Sequence, residues 1–229
     1  MTDDQHQDKL KELIRRIGRL VAGLLSSNWL VLLTRLWQLI GFPTLRRASE
    51  GLYEILDYEL TLDLRDRKGK QAVFRRRQRV RFLQDHIIAY QDEAWGDGKV
   101  VAGYHCSPGV PVDVFRVGSR HLILISLRQA KNRGDVVEFN IERKVEGGFT
   151  KKEEWLEVET RYPTRRLRID VLFPARRPCR TAWLVARSAD RTINLDANHF
   201  SRTRDGRQRL SWEAPKPMPH ETYAICWVW

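Results

Sequence analysis

The sequence YEILDYELTLDLRDRKGKQAVFRRRQRVRFLQ, residues 53–84, decides how the chain folds. In its first half Leu60, Leu62 and Leu64 alternate with polar residues, which is the period of two of a β-strand with one buried face. Asp66 to Gly69 then supply turn chemistry, and a second alternating arm follows. The stretch therefore predicts a β-hairpin.

The two arms of this hairpin carry opposite charge, acidic in the first and basic in the second. Alternate arginines of the second arm project to one face of the strand. They either form a phosphate-binding strip or pair with the acidic arm in a cross-strand ladder, and the ladder is the favoured interpretation. Basic residues beyond the ladder remain for an anionic partner. The candidate anion- or partner-binding residues are Arg75, Arg77, Arg79, Arg81, Arg165 and Arg166.

Beyond the hairpin, short apolar runs are separated by turn clusters such as Trp95–Gly98 and Asn132–Gly134. With no helical pattern between them, such runs are typical of an antiparallel sandwich or barrel. Residues 52–229 are therefore predicted to form a mainly β domain, an antiparallel β-sandwich or barrel of about a dozen strands. The further candidate strands are His86–Tyr90, Lys99–Cys106, Arg120–Gln129, Asp135–Lys144, Glu154–Arg161, Arg165–Phe173, Thr181–Ser188, Arg191–Leu195, Gln208–Glu213 and Thr222–Trp229.

The N-terminal segment, residues 1–47, has a different pattern. Apolar residues recur at helical spacing from Lys9 to Leu25, and Ser26 to Asn28 supply capping chemistry before an almost wholly apolar stretch that ends near Ile40. The sequence thus predicts a pair of α-helices, the first basic and amphipathic. Their predicted membrane- or oligomer-contacting residues are Ile14, Ile17, Val21, Leu24, Trp29, Leu33, Leu36 and Trp37.

The apolar helix is a poor single membrane span. A crossing needs roughly 20 apolar residues, and extending the stretch that far places Arg35 inside it. Docking in the plane of the bilayer or insertion as a hairpin fits the pattern better. The alternative is that both helices pack on the β domain or on a second copy of the chain.

The composition is strongly charged with both signs. The chain of 229 residues has 41 Lys and Arg against 29 Asp and Glu, a formal charge of +12. A basic protein of this kind favours acidic partners, namely phosphates, anionic lipid headgroups or an acidic protein. The acidic and polar N-terminus does not resemble a secretory signal, and three cysteines without CxxC spacing favour a reducing compartment.

The sequence contains no recognisable catalytic, nucleotide-hydrolysing or metal-binding pattern, so we expect a non-enzymatic protein without cofactor or metal. A cysteine hydrolase built on Cys106 and self-cleavage at Phe200-Ser201 are the disfavoured alternatives. His105 and Cys106 are adjacent, and adjacent residues of a strand point to opposite faces.

These patterns together predict a membrane-associating protein on the cytoplasmic face of the membrane, whose β domain senses an anionic, phosphate-bearing ligand or a protein partner, with a homo-oligomer expected. The layout of apolar helices before a β domain is similar to that of small bacterial antiviral defence effectors, and the similarity is one of layout alone. The alternative is a soluble cytoplasmic nucleic-acid-binding or assembly module whose helices mediate oligomerisation or docking.

Overall fold

The computed structural model describes residues 51–229 of the chain. The predicted helix pair and its contact residues from Ile14 to Trp37 lie outside the described residues. Within residues 51–229 no helix has the length and apolar character needed to cross a bilayer.

The described part of the chain is mainly β, as predicted. It contains a single 3-10 turn at Ala197–His199 and fourteen strands. The strands are β1 (Tyr53–Leu64), β2 (Gln71–Phe82), β3 (Ile87–Ala94), β4 (Lys99–Ser107), β5 (Val110–Val117), β6 (Arg120–Lys131), β7 (Val136–Glu146), β8 (Glu153–Glu159), β9 (Leu167–Leu172), β10 (Thr181–Ala186), β11 (Arg191–Asn194), β12 (Phe200–Arg202), β13 (Gln208–Ala214) and β14 (Thr222–Val228).

These strands form three sheets, and none of the three closes into a barrel. The first sheet has the order β12-β13-β9-β1-β2-β7-β4, the second β11-β10-β14-β8 and the third β3-β6-β5. The predicted hairpin is β1 paired with β2, in which Leu62 lies opposite Phe74. All pairs are antiparallel except that of β1 with β9, which is parallel, so the expectation of a wholly antiparallel fold is wrong at that pair.

Buried apolar residues from all three sheets belong to one hydrophobic core. Leu60, Leu62 and Leu64 of β1 are almost completely buried, as their alternation predicts. The final strand, β14, lies between β10 and β8, and its Trp227 is fully buried against Phe149 and Phe173. The C-terminal aromatic residues therefore pack inside the protein.

Two strands were not predicted from the sequence, the three-residue β12 and the longer β5. Val110 to Val117 form β5, an edge strand of the third sheet that includes Pro111. Proline lacks the N–H that a central strand needs, so it is confined to edges and bulges. The two prolines near the start of β5, Pro108 and Pro111, made this segment resemble a loop.

Gly69 in the β1–β2 turn is a point where the fold tolerates no side chain. Its φ is +68°, and a Cβ there would lie 1.5 Å from the backbone oxygen of Phe149. The amide of Phe149 also donates to the Gly69 carbonyl at 3.1 Å. The turn of the first hairpin is therefore packed directly against the chain that follows β7.

We expect Gly69→Ala to destabilise the protein strongly, by on the order of 4 kcal/mol, because the new Cβ must displace backbone. Gly206→Ala is the matched control, since Gly206 has a φ of +76° but no atom within 4 Å of the position that a Cβ would occupy. That variant meets only the left-handed backbone cost of roughly 1–2 kcal/mol. Denaturant unfolding of both variants measures the difference, and equal losses would contradict the close packing of Gly69 against Phe149.

Candidate functional site

Four of the six arginines predicted to bind anions lie on the outer, solvent-facing side of β2, namely Arg75, Arg77, Arg79 and Arg81. Arg75 pairs with Glu142, Arg77 with Glu59, and Arg81 with Glu54, at 2.7–3.0 Å. Arg77 and Arg81 thus pair with the acidic arm β1, as the ladder interpretation predicts. The main partner of Arg75 lies instead on β7, and Arg75 reaches Asp63 of β1 at 3.5 Å. Arg79 is exposed and makes no ion pair within residues 51–229.

The other two predicted residues lie at the turn before β9 and extend the same ladder. Arg165 pairs with Glu54 at 2.7 Å, and Arg166 reaches Asp57 and Glu213 at 2.8 and 2.9 Å. Solvent-exposed pairs of this kind contribute at most about 1 kcal/mol each. A role for these six arginines in anion binding stays a prediction, and five of the six already have carboxylate partners.

Two other arginines lie on the inner side of the same sheet. On β2, the side chain of Arg76 lies on the same buried face as those of Phe74 and Val80. On β7, the side chain of Arg143 lies on the same buried face as that of Ile141. The β2–β7 register places Phe74 opposite Arg143. Arg76 is 8% exposed and Arg143 is 6% exposed, so both guanidinium groups are inside the protein.

Asp92 of β3 is the carboxylate that neutralises Arg76. It is 3% exposed, and its Oδ1 accepts from Arg76 Nη2 at 2.5 Å. Tyr104 donates to Oδ2 at 2.7 Å, and the backbone N–H of Glu93 donates to Oδ1 at 2.7 Å. Because Arg76 belongs to the first sheet and Asp92 to the third, this ion pair joins two sheets through the core.

Arg143 has weaker partners. Its Nη1 donates to the backbone oxygen of Val100 at 2.6 Å, and its guanidinium carbon lies 3.8 Å from the centre of the Phe74 ring. It makes no ion pair with the carboxylates of the described residues. Arg76 is also incompletely satisfied, because its Nε is buried and has no hydrogen-bond partner among residues 51–229.

The pKa values of the two arginines reflect this difference. Burial lowers the pKa of Arg143 to about 10, and the positive charge of Arg76 acts in the same direction while Asp92 opposes it. For Arg76, burial also acts to lower the pKa, but the charge of Asp92 raises it well above its ordinary value. Arg143 stays protonated at neutral pH and is held there at a cost in free energy, because a charge is removed from water without a counter-charge of its own.

Both guanidinium groups line one cleft of about 50 Å³. Its walls combine apolar and polar surface, and carboxylates of β3, β8 and the β3–β4 turn contribute to them. The lining residues are Tyr58, Leu62, Phe74, Arg76, Glu93, Trp95, Gly96, Asp97, Val100, Arg143, Val145, Gly148, Phe149, Glu154, Trp155, Leu156 and Glu157.

Trp95 and Trp155 are the indole side chains of the cleft. Trp95 Nε1 donates to Glu157 at 3.4 Å, and the guanidinium of Arg120 lies 4.4 Å from the centre of the Trp95 ring. Trp155 is 36% exposed. One indole is therefore fixed by its neighbours and the other is open to solvent.

The lining carboxylates differ in their pairing. Glu93 pairs with Arg161 and Arg120, Asp97 with Lys151, and Glu157 with Arg187. Glu154 is 3% exposed, and its Oε1 accepts from the backbone N–H of Lys151. Burial raises the pKa of Glu154 above its ordinary value.

The cysteine candidate has none of the features of an activated nucleophile. Cys106 is buried and its neighbour His105 is exposed, so the two side chains lie on opposite faces of β4. Burial raises the pKa of the Cys106 thiol to about 12, which keeps it protonated. Within residues 51–229 there is also no group of three His, Cys, Asp or Glu side chains that is placed to hold a metal ion.

Arg76 and Arg143 were not among the site residues predicted from the sequence, because that prediction selected the arginines expected to face solvent. A signal was present, since an arginine stands at an inward position of each of two alternating strands, FRRRQRV and FNIERKV. A charged residue in the apolar phase is informative because buried charges are rare unless paired or functional. The partner Asp92 carried no comparable signal.

The comparisons with known proteins give similarity of structure and not of sequence family. No protein-family model matches the sequence, and no curated protein matches it. Among solved structures, an M1 zinc metallopeptidase from Deinococcus radiodurans is similar with a TM-score of 0.47 at 11% identity, over 76% of this chain. A mutant of that metallopeptidase bound to a Tyr-Ser-Ala substrate gives a TM-score of 0.47 at 10% identity. This chain spans 42% of the length of those metallopeptidase chains.

Replacing Asp92 with asparagine leaves Arg76 as a second buried guanidinium without a counter-charge. We expect Asp92→Asn to lower the free energy of unfolding by about 3–5 kcal/mol, the usual cost of removing one partner of a buried ion pair. Glu142→Gln is the control, because it removes a carboxylate from the exposed pair with Arg75 and costs at most about 1 kcal/mol. Chemical denaturation compares the two, and a loss below about 1 kcal/mol in Asp92→Asn would rule out the buried pair.

Proposed function

We propose that the β domain is a binding module for an anionic ligand, and that the ligand occupies the cleft lined by Arg76 and Arg143. The observation that carries this proposal is the guanidinium of Arg143, which is buried, charged and without a carboxylate partner among the described residues. A protein that retains such a group accepts a cost in stability, and perturbed buried charges in clefts are common at functional sites.

The chemistry of the cleft supports binding more than catalysis. Guanidinium groups form paired, charge-assisted hydrogen bonds with carboxylate or phosphate oxygens, and burial strengthens these bonds. The cleft also contains apolar and aromatic side chains, which small-molecule sites commonly use. A non-enzymatic sensing role therefore fits the groups that line the cleft. We also propose that the three sheets are the layers of a β-sandwich that encloses the cleft.

The N-terminal segment supplies the second part of the proposal. Residues 1–47 combine a basic amphipathic pattern with an almost wholly apolar stretch, and such a combination supports attachment to the cytoplasmic face of a membrane. The whole protein would then report an anionic ligand at a membrane, as a homo-oligomer or with a protein partner. We include a role as a defence-type effector in this proposal, and it is supported only by the order of an apolar segment before a β domain.

The ligand site is tested by binding to purified full-length protein. A set of small anions, namely acetate, benzoate, inorganic phosphate and adenosine monophosphate, is titrated while the thermal midpoint of unfolding is followed. At a ligand concentration about 100 times the Kd, binding stabilises the folded protein by about 2.7 kcal/mol. We expect at least one anion to raise the midpoint, and Arg143→Gln to remove that shift.

Lys144→Gln is the matched control, because it removes a positive charge from the exposed face of the same strand, directly after Arg143. It is expected to leave the ligand-induced shift unchanged. If no anion stabilises the protein, or if Arg143→Gln responds as the wild type does, the cleft is not an anion site.

Membrane attachment is tested with substitutions in the segment predicted to form the amphipathic helix. Val21→Glu combined with Leu24→Glu places two charges on the apolar stripe, and we expect the protein to move from the membrane pellet to the soluble fraction at moderate salt. Gln5→Glu combined with Gln7→Glu adds the same charge outside the stripe and should leave the protein in the pellet.

A wild-type protein that stays soluble in the presence of anionic vesicles would contradict membrane attachment. Binding to oligonucleotides that weakens steeply as salt rises would favour the nucleic-acid alternative instead.

A further inference from the structure

One end of the β domain collects basic residues from four separate turns. The turns are residues 65–70 between β1 and β2, 151–152 before β8, 174–180 between β9 and β10, and 202–207 at the tip of the β12–β13 hairpin. They contain twelve Lys and Arg against two Asp, whereas the rest of residues 51–229 contains 21 Lys and Arg and 22 Asp and Glu. These four turns therefore carry the net positive charge of the described residues.

Hydrogen bonds hold the four turns together. The guanidinium of Arg177 donates to the backbone oxygens of Arg67 and Lys151, at 3.1 and 2.9 Å, and so links three of the turns. Arg207 of the hairpin donates at 2.9 Å to the backbone oxygen of Leu64, directly before the first turn. The four turns thus form one surface, which we call the basic end.

Most cations of the basic end have no carboxylate partner. Of the twelve, Arg65, Lys151 and Arg207 form ion pairs with carboxylates of the described residues. Eight of the others are exposed and form no ion pair within residues 51–229, and Lys68 and Lys152 are examples. The arginines of the outer ladder, by contrast, mostly have carboxylate partners. Repulsion between unpaired like charges costs free energy, and an anionic partner relieves it.

The cations of the basic end project from turns and do not line a groove. A groove of about 430 Å³ lies between residues 174–180 and the β12–β13 hairpin, and Arg202 is the one basic residue among those that line it. Of the aromatic residues at this end, Trp229 and Phe173 are buried and Phe200 is half-buried. Proteins that bind single-stranded nucleic acid combine a basic groove with aromatic side chains on which bases stack. The basic end therefore fits an extended anionic surface better than a single strand of nucleic acid.

The basic end is separate from the point where residues 1–47 join the domain. Strand β1 runs from Tyr53 to Leu64, and at about 3.3 Å per residue its two ends are roughly 35–40 Å apart. Leu64 leads into the first basic turn, whereas Tyr53 lies at the other end of the strand. Stable anchoring to a membrane commonly takes two signals, and a polybasic patch is one of the usual kinds.

We propose that the basic end binds the anionic lipid headgroups of a bilayer, as a second membrane contact besides the N-terminal segment. This inference rests on the proposed membrane attachment. Lys and Arg side chains pair with the phosphate and carboxylate groups of acidic lipids, and each one near the surface raises the affinity roughly fivefold. The attachment then depends on acidic lipid and on salt, and part of both dependences comes from the β domain.

The test measures co-sedimentation of the full-length protein with two kinds of vesicle, phosphatidylcholine alone and an equal mixture of phosphatidylcholine and phosphatidylserine. Lys68→Gln, Lys152→Gln and Arg176→Gln are combined in one variant, which removes an exposed cation from each of three turns. We expect this variant to bind the mixed vesicles at least tenfold more weakly than the wild type does, because three surface charges are lost. Its binding to phosphatidylcholine vesicles is expected to stay unchanged.

The matched control combines Arg116→Gln, Lys144→Gln and Lys216→Gln, which remove the same charge from exposed positions outside the basic end. It is expected to bind both kinds of vesicle as the wild type does. An equal loss in this control would show that total charge matters and not the basic end, and would overturn the inference.

The remaining outcomes separate this inference from the proposed membrane attachment. If the wild type binds the mixed vesicles and the basic-end variant binds them equally well, the inference is wrong and the attachment stands. If the wild type binds neither kind of vesicle, the attachment fails and the inference fails with it. If the basic-end variant keeps its binding to vesicles but loses a salt-sensitive binding to oligonucleotides that the wild type shows, the partner is nucleic acid and the choice of lipid is overturned.

Discussion

The guanidinium of Arg143 lies inside the protein without a carboxylate of its own among the described residues. Within residues 51–229 its hydrogen-bond partner is the Val100 carbonyl, and the face of Phe74 covers its other side. The charge of Asp92 acts on both Arg143 and Arg76, but its carboxylate is already hydrogen-bonded to the guanidinium of Arg76. Arg143 thus has a carbonyl hydrogen bond but no counter-charge of its own among residues 51–229, so its burial is only partly compensated.

The same sheet carries two sets of arginines that differ in energetics because they differ in exposure. On the outer face, Arg75, Arg77 and Arg81 pair with the carboxylates of neighbouring strands, and each pair is weak and screened by salt. On the inner face, the Arg76–Asp92 pair joins the first and third sheets where water does not screen it. The ladder explains most of the basic surface of this sheet as structure, whereas on the inner face Arg143 has no counter-charge of its own among the described residues.

Features that depend on neighbouring residues could be predicted from the sequence. The alternation of Leu60, Leu62 and Leu64 and the turn at Gly69 define the first hairpin, and opposite charges on its arms indicate the ladder. Features that depend on distant pairing were not accessible: β1 pairs in parallel with β9, which lies far along the chain, and Asp92 meets Arg76 only once β3 has joined another sheet. The two inward-facing arginines could have been predicted from the sequence, because each is a charged residue at a position of its strand where the alternation calls for an apolar one.

The most direct test of a binding role for Arg143 is the unfolding free energy of Arg143→Met, measured by denaturant titration without ligand. If Arg143 is retained for binding, replacing a buried, unpaired charge with an apolar side chain of similar length leaves the stability within about 1 kcal/mol of the wild type, or increases it. If Arg143 instead supports the fold through its contacts with Val100 and Phe74, the variant loses about 3–5 kcal/mol, and retention of Arg143 for a ligand is contradicted.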